Sequence, residues 1–345
     1  MLVTLKAGTE VKAGNEVCLF RHEKTFYNKP GLFLRVKASD PDIARKVAQA
    51  DAYKVNYVGM DFKLDGFAIE ADGELTSAIK AVRDVTKRPL MLIGSDAAVL
   101  DSSLSLLANE STLIYSADLS NYEALAEVAK KHKASLVVKA DSLDALADLT
   151  QKVQAKGVED MVLDLGGKNL GEWLTRSTQV RRLALKANFR ALGYPTIFFA
   201  AQNGIEKEAV YAAQAIAKYA GFVVLDTFAP EMIYPLLVLR ENIYTDPQKP
   251  IQVLPGLYEI NSPKPTDPVM VTTNFSITYF AVNNEVEGSG RPGWLLVGLI
   301  VLLRVNAFLA LVSAALVVSL LAPGSAGEKT ARVAAARVWA PRFIR

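Results

Sequence analysis

Cysteine is nearly absent: Cys18 is the only one in 345 residues. A lone thiol closes no intrachain disulfide and cannot by itself hold a metal cluster or a structural zinc. Histidine is almost as scarce, and His22 and His132 lie far apart in the chain. That argues against a metal site built on histidine. Charge of one sign is also lacking. The 39 basic and 36 acidic residues leave a formal charge of +3, with no basic run of five or more. Phosphate binding needs clustered Lys and Arg, so nucleic acid is not an expected partner. The opening residues, MLVTLKAGTEVKAGNE, hold no apolar stretch of the kind a signal peptide needs. Together with the single cysteine, this leads us to expect a reducing, cytoplasmic setting.

What is present is material for a large core. Hydrophobic residues make up 51% and charged residues 22%, which excludes global disorder. Residues 1–30 read as a polar, β-rich entry segment ending at the turn signal Asn28-Lys29-Pro30-Gly31. From Leu32 onward, short apolar runs alternate with helical periods. The expected strands are Leu32–Lys37, Gly66–Ala71, Pro89–Gly94, Thr112–Tyr115, Ser135–Lys139, Asp160–Asp164, Thr196–Ala200 and Gly221–Asp226. The expected helices are Pro41–Ala52, Glu74–Thr86, Ala97–Asn109, Tyr122–His132, Leu143–Lys156, Glu172–Leu192, Lys207–Tyr219 and Glu231–Glu241. Pro41 after Asp40, and the acceptors Asp96 and Asn121, suit helix starts. Eight strands alternating with eight helices define an α/β fold, a TIM (β/α)8 barrel over residues 31–245. The competing open sheet finds no G-x-G-x-x-G loop in that stretch.

Past Asn242 the texture changes. Seven prolines fall between Pro247 and Pro292. Residues 246–297 read as a connector and the start of a second domain, with a boundary near Asp267. Val271 to Phe280 alternates polar and apolar residues, so a strand is expected over Val269–Ala281. Residues 298–345 form an atypical apolar tail with no Asp, Tyr or Gln and one lysine, Lys329. The run from Trp294 to Leu321 is long enough to span a bilayer if Arg304 sits at the interface. A frameshift or a fusion to unrelated sequence gives the same compositional break, and so does a divergent buried helix.

Candidate chemistry is thin. Arg21-His22-Glu23-Lys24 reads as a packed loop before it reads as a base or ligand set. His132 suits a helix C-terminus, where positive charge is favoured. Asp61, Asp141, Asp164 and Asp226 are placed at the C-terminal ends of strands, where barrel enzymes carry their catalytic groups. Asp and Gly at such ends also cap helices and make turns. The loop Leu165-Gly166-Gly167-Lys168-Asn169 after Asp164 could admit a ligand. Gln202-Asn203-Gly204 is either a polar loop on the same face or a simple turn. No pair can be given acid and base roles from sequence, and no catalytic or metal residue is assigned.

Three blocks carry a family resemblance: FRHEKTFYNKPG (Phe20–Gly31), NIYTDPQKP (Asn242–Pro250) and VTTNFSITYF (Val271–Phe280). They resemble the large (gamma) subunit of the corrinoid/iron–sulfur protein, the methyl carrier of the acetyl-CoA decarbonylase/synthase system. The resemblance covers roughly residues 16–297. It implies an iron–sulfur domain, a TIM barrel and a C-terminal corrinoid-type domain. It also implies a methyl group passed from a methyltetrahydropterin or folate to acetyl-CoA synthase. The implied partners are a small corrinoid-protein subunit, acetyl-CoA synthase and a methyltransferase. By the same resemblance, the hydroxyls and amide of Thr273, Asn274, Ser276 and Thr278 would meet the polar rim of a corrinoid (cobalamin). A 4Fe-4S cluster takes four thiolates, so Cys18 alone predicts none in this stretch. The family's acidic, Gly-containing loop after Trp294-Leu295-Leu296-Val297 is missing, so corrinoid binding is expected to be weak or absent. Two other readings are a free-standing barrel methyltransferase acting on a pterin, and a barrel interaction protein anchored in a membrane by the tail.

Overall fold

The structure, a computed structural model, describes residues 1–20, 26–57, 59–167, 169–244 and 252–298. The Arg21–Lys24 motif with His22, most of the NIYTDPQKP block, Lys168 and the tail beyond Gly298 lie outside the described residues. The chain divides into two compact units, Met1–Val55 with Asp61–Pro247, and Asn56–Met60 with the chain from Gln248 onward.

The first unit opens with a hairpin, β1 (Leu2–Lys6) and β2 (Glu10–Gly14), paired antiparallel. Then come β3 (Gly31–Lys37), α1 (Ile43–Ala52), a short pair β4 (Val55–Tyr57) and β5 (Met60–Phe62) whose residues 56–60 belong to the second unit, β6 (Gly66–Glu70) and α2 (Leu75–Arg83). The alternation continues through β7 (Leu90–Ile93), α3 (Ala97–Leu104), β8 (Leu113–Ala117), α4 (Tyr122–His132), β9 (Ser135–Lys139) and α5 (Leu143–Ala155). It ends with β10 (Met161–Asp164), α6 (Leu170–Leu185), β11 (Thr196–Phe199), α7 (Ile205–Ala217), β12 (Phe222–Leu225) and α8 (Pro230–Tyr244). Eight of these strands close a barrel in the order β3-β6-β7-β8-β9-β10-β11-β12 and back to β3, all parallel. This is the expected TIM barrel.

Its helices form because their apolar residues recur on one face. In α2 the buried residues are Leu75, Ala78, Ile79 and Val82, the i, i+3, i+4, i+7 stripe. Asp96 caps α3 as expected, accepting from Ala98 N at 2.8 Å. Two other expected caps differ. Asn121 spends its side-chain oxygen on Asp118 N instead, at 2.8 Å. Helix α1 starts at Ile43, not Pro41, because Asp40 folds a turn through Asp42 N at 2.9 Å before the helix begins.

The hairpin closes one end of the barrel. Val3, Leu5, Val11 and Ala13 pack in one cluster with inward residues of the barrel strands, among them Phe33, Met91 and Phe222. Lys6 and Ser111 exchange backbone hydrogen bonds, and Gly8 N donates to Lys87 O. Ser111 and Lys87 precede β8 and β7, so the plug sits at the strands' N-terminal ends and leaves the C-terminal ends as the mouth.

The second unit is a small sheet with one helix: β13 (Gly256–Ile260), β14 (Val269–Thr273), α9 (Ser276–Gly288) and β15 (Gly293–Gly298). Its order is β13-β15-β14, with β14 and β15 parallel. Val253 and Val297 pack with Tyr57, Met60, Tyr258, Tyr279 and Phe280 as its core. The single strand expected over Val269–Ala281 is therefore corrected: it stops at Thr273 and Ser276 begins a helix. Parallel neighbours require a crossover, and α9 supplies it despite its strand-favouring residues. The boundary expected near Asp267 falls earlier, because β13 already belongs to this sheet. The head of the apolar run, Trp294 to Gly298, is the sheet's central strand. Among the described residues no helix is long and apolar enough to cross a membrane.

Candidate functional site

Side chains alternate along a strand, so each barrel strand sends every second residue inward. Phe33, Ala68, Met91, Leu113, Val137, Val162, Ile197 and Val224 fill the interior. The next inward position on each strand, two residues on, is Arg35, Glu70, Ile93, Tyr115, Lys139, Asp164, Phe199 and Asp226. Thus an apolar interior ends in a ring that is polar at six of its eight positions. These six groups come from six different strands, and the closed sheet alone brings them together.

The ring has two arcs. On one side Arg35 is hydrogen-bonded to Asp226, and its other terminal nitrogen lies 3.6 Å from Glu70 Oε2. Glu208 on α7, 1% exposed, fixes the turn after β12 by accepting from Asp226 N at 2.5 Å and Thr227 N at 3.1 Å. On the other side Tyr115 Oη donates to Asp164 Oδ2 at 2.7 Å, and Lys139 Nζ donates to Tyr115 Oη at 3.1 Å. Asp164 Oδ1 accepts from Gly166 N at 2.8 Å. The Tyr115 and Phe199 rings meet at 4.6 Å between centroids. Burial first, then the charge of Asp164, pushes the Tyr115 phenol far above its ordinary value, while the charge of Arg35 pulls the other way. The phenol thus stays a hydrogen-bond donor at any working pH. Two buried carboxylate oxygens in the first arc, Glu70 Oε2 and Asp226 Oδ1, have no hydrogen-bond donor from the protein.

Of the four sequence-predicted carboxylates, the structure brings Asp164 and Asp226 into the ring. Asp141 lies exposed, beyond the end of β9. Asp61 is not at a barrel strand end; it sits in β5 and pairs with Lys54 at 2.9 Å. Gln202 and Asn203 are exposed in the turn before α7, whose first cap is Gly204 at φ +108°. His132 ends α4 and contacts Asp101 through Nε2 at 2.6 Å. Sequence reasoning missed Arg35, Glu70, Tyr115, Lys139 and Glu208. For the first four a signal existed: each is the last inward step of a strand whose earlier inward residue is apolar.

In the second unit, the four residues expected to meet a cofactor occupy the turn from β14 into α9. Thr273 and Asn274 are buried and Ser276 and Thr278 are partly exposed. The hydroxyls of Thr273 and Thr278 bond each other, and Thr278 also donates to Phe275 O at 2.9 Å. Asn274 donates to Gln252 Oε1 at 2.8 Å, and Val253 N donates to Asn274 O. Asn274 is 3% exposed, yet its side-chain oxygen has no donor from the protein. No side chain caps the start of α9. Phe275 and Ile277, on either side of Ser276, are exposed, Ile277 to 78%. The segment Gly288-Ser289-Gly290-Arg291-Pro292-Gly293 has glycine spacing of the dinucleotide type. It runs from helix to strand, the reverse of the order a phosphate-binding loop needs.

Fold and mouth together define a parallel (β/α)8 barrel, plugged at its N-terminal end, joined in one chain to a small α/β unit. The chain belongs to the family described as the CO dehydrogenase/acetyl-CoA synthase delta subunit, whose model matches residues 3–306. It is 38% identical over 301 residues to the corrinoid/iron-sulfur protein large subunit of Moorella thermoacetica, covering 85% of this chain and 68% of that protein. It is 34% identical over 308 residues to the acetyl-CoA decarbonylase/synthase complex subunit gamma of Archaeoglobus fulgidus, covering 83% and 65%. The chain thus spans about two thirds of the length of these relatives. A solved structure, the dihydropteroate synthase of Yersinia pestis, is similar over 69% of this chain and 98% of its own, at 16% identity and a TM-score of 0.47.

Proposed function

We propose that this chain is a large-subunit component of a corrinoid methyl carrier, operating in the cytoplasm within an acetyl-CoA decarbonylase/synthase system. Its barrel is the scaffold that docks a small corrinoid-protein subunit. Acetyl-CoA synthase and a methyltransferase are the partners between which the methyl group passes, the donor being a methyltetrahydropterin or folate. Support comes from the relatives' names and from one observation in this structure: the buried, donor-less side-chain oxygen of Asn274 at the end of β14. Open α/β sheets receive ligands at the carboxyl ends of their strands, and this oxygen lies at such an end.

The residues there fit the rim of a corrinoid. The Asn274 side-chain oxygen and the Ser276 hydroxyl are groups of the kind that bond peripheral amides, Thr273 and Thr278 bond each other beside them and hold the turn, and the uncapped start of α9 offers N–H groups. Exposed Phe275 and Ile277 offer apolar surface. A bound corrinoid would supply the cobalt that accepts and releases the methyl group. The described residues provide one strand-to-helix turn of such a site, whereas a ligand of that size needs a broad surface. Binding to the isolated chain is therefore expected to be weak. Within these 345 residues a single cysteine supplies no four-thiolate cluster set. On this reading, cluster-dependent electron transfer falls to other residues of the assembly.

The test is reconstitution with hydroxocobalamin followed by gel filtration and cobalt analysis. The chain is expected to retain well under one cobalt per molecule, and Asn274→Leu still less. A stoichiometric cobalamin spectrum in both proteins would place the cofactor elsewhere and refute the assignment of Asn274.

A further inference from the structure

We propose that the joint outer face of α7 and α8 is a docking surface for a partner subunit, which covers Val210 and Tyr234 at its centre. The proposal deepens the methyl-carrier reading and rests on it for the identity of the partner, the small corrinoid-protein subunit.

The outward stripe of α7 steps through Glu206, Val210, Ala213 and Ala217, at i, i+4, i+7 and i+11. The outward stripe of α8 steps through Glu231, Tyr234, Pro235, Val238 and Asn242. On each stripe the one charge falls in the first turn, and the turns that follow carry none. Val210 is 57% exposed and Tyr234 41%. Other barrel helices fill the same outward positions with charge. On α4 these are Glu123, Glu127 and Lys130, and on α5 Asp144, Asp148 and Lys152, all exposed.

Folding of the barrel does not call for apolar residues on this face. An exposed helix position favours Ala, Glu, Lys or Gln, whereas Val and Tyr lose helix propensity there. Pro235 also removes a backbone N–H donor inside the helix. In water these side chains stabilise nothing, but under an apolar partner they do. The two helices pack side by side, so their stripes form one surface. Tyr53 extends it at the start of α8: its Oη lies 3.4 Å from Pro230 O, and its ring meets Phe228 edge-on at 5.9 Å. Aromatic rings around a charge-free centre are the composition of an interface core.

Size and charge select the occupant. Helices of 13 and 15 residues are each ~20 Å long, and axes ~10 Å apart make a two-helix face of ~400 Å². That is about half of the ~800 Å² that a stable interface buries on each side, enough for its apolar centre. The backs of two helices are convex, whereas small-ligand sites are concave. Glu206 and Glu231 at the rim repel an anionic lipid surface. A protein face with its own apolar patch, and a cation placed opposite those two carboxylates, fits both features.

Light scattering after size exclusion, over a dilution series, reads the complex of the full chain co-expressed with a small corrinoid-protein subunit. The chain is taken as wild type, Val210→Glu, Tyr234→Glu and Glu127→Lys. The substituted positions are exposed, so the variants alone are expected to melt with the wild type. Val210 and Tyr234 lie on different helices, so either variant keeps the test valid if the other fails to fold. Each should raise the dissociation constant at least about tenfold, because docking would bury an unpaired carboxylate. Glu127→Lys, on the outer face of α4, should leave it unchanged. An unchanged dissociation constant in a folded Val210→Glu or Tyr234→Glu overturns the proposal and leaves the methyl-carrier reading standing. A wild-type chain that forms no complex overturns both. A chain that is dimeric on its own and monomeric as Val210→Glu gives the face to a second copy, and overturns the proposal.

Discussion

At the scale of single residues, burial decides which polar groups matter for stability. Arg240 is buried and gathers three partners from the chain entering the barrel: Pro30 O at 3.0 Å, Lys63 O at 3.4 Å and the Asp65 carboxylate. Asp65 in turn accepts from Leu32 N at 2.8 Å. Removing the cation strands that carboxylate, so Arg240→Ala should cost ~3–5 kcal/mol in denaturant unfolding. Glu16 behaves differently. Burial raises its pKa and outweighs the charge of Arg181, 3.6 Å away, which lowers it. A carboxylate with a raised folded pKa favours the fold below its unfolded value, and that advantage is lost as pH rises through the raised value. Glu16→Gln, neutral throughout, should therefore raise the melting temperature at pH 7 by about 2 °C, with the gap closing below pH ~4. A lower melting temperature at pH 7 would mean that Arg181 depends on the charge.

At the scale of elements, the barrel is built by fitting large side chains against missing ones. A Cβ on Gly66 would lie 2.3 Å from the Phe33 ring and 2.3 Å from Pro89 O, and one on Gly31 would touch Phe33 and Phe222. Gly66→Ala should thus destabilise by ~1–3 kcal/mol, read from the urea midpoint. This layer explains what was legible in the sequence. All eight barrel strands and the helices between them show as alternating apolar runs and 3.6-residue stripes, because strand and helix periods are local. The β14–α9 break was not legible. Thr, Phe, Ile and Tyr after Thr273 favour strands, and only the parallel pairing of Val269–Thr273 with Trp294–Gly298, a long-range fact, requires a helix there. The ring was half legible. Asp164 and Asp226 stand at recognisable strand ends, but Arg35, Glu70, Tyr115 and Lys139 become a site only when closure sets six strands in register.

At the scale of the whole molecule, two units of unlike size share the chain, and family membership concerns both, since the matched residues 3–306 run through each. Scaffold and chemistry remain separable: the same barrel hosts unrelated functions, so the role of methyl-carrier component must be tested on the assembly. Barrel and sheet together are about two thirds of the relatives' length, and a part of this size should still offer the surface that a partner subunit recognises. The most direct measurement is the mass of the species formed when the full chain is co-expressed with a small corrinoid-protein subunit, by size exclusion with light scattering. The account predicts a single peak of one chain plus one small subunit that survives dilution to low micromolar concentration. Two separate peaks, with this chain at its own mass of 37.4 kDa, would contradict it.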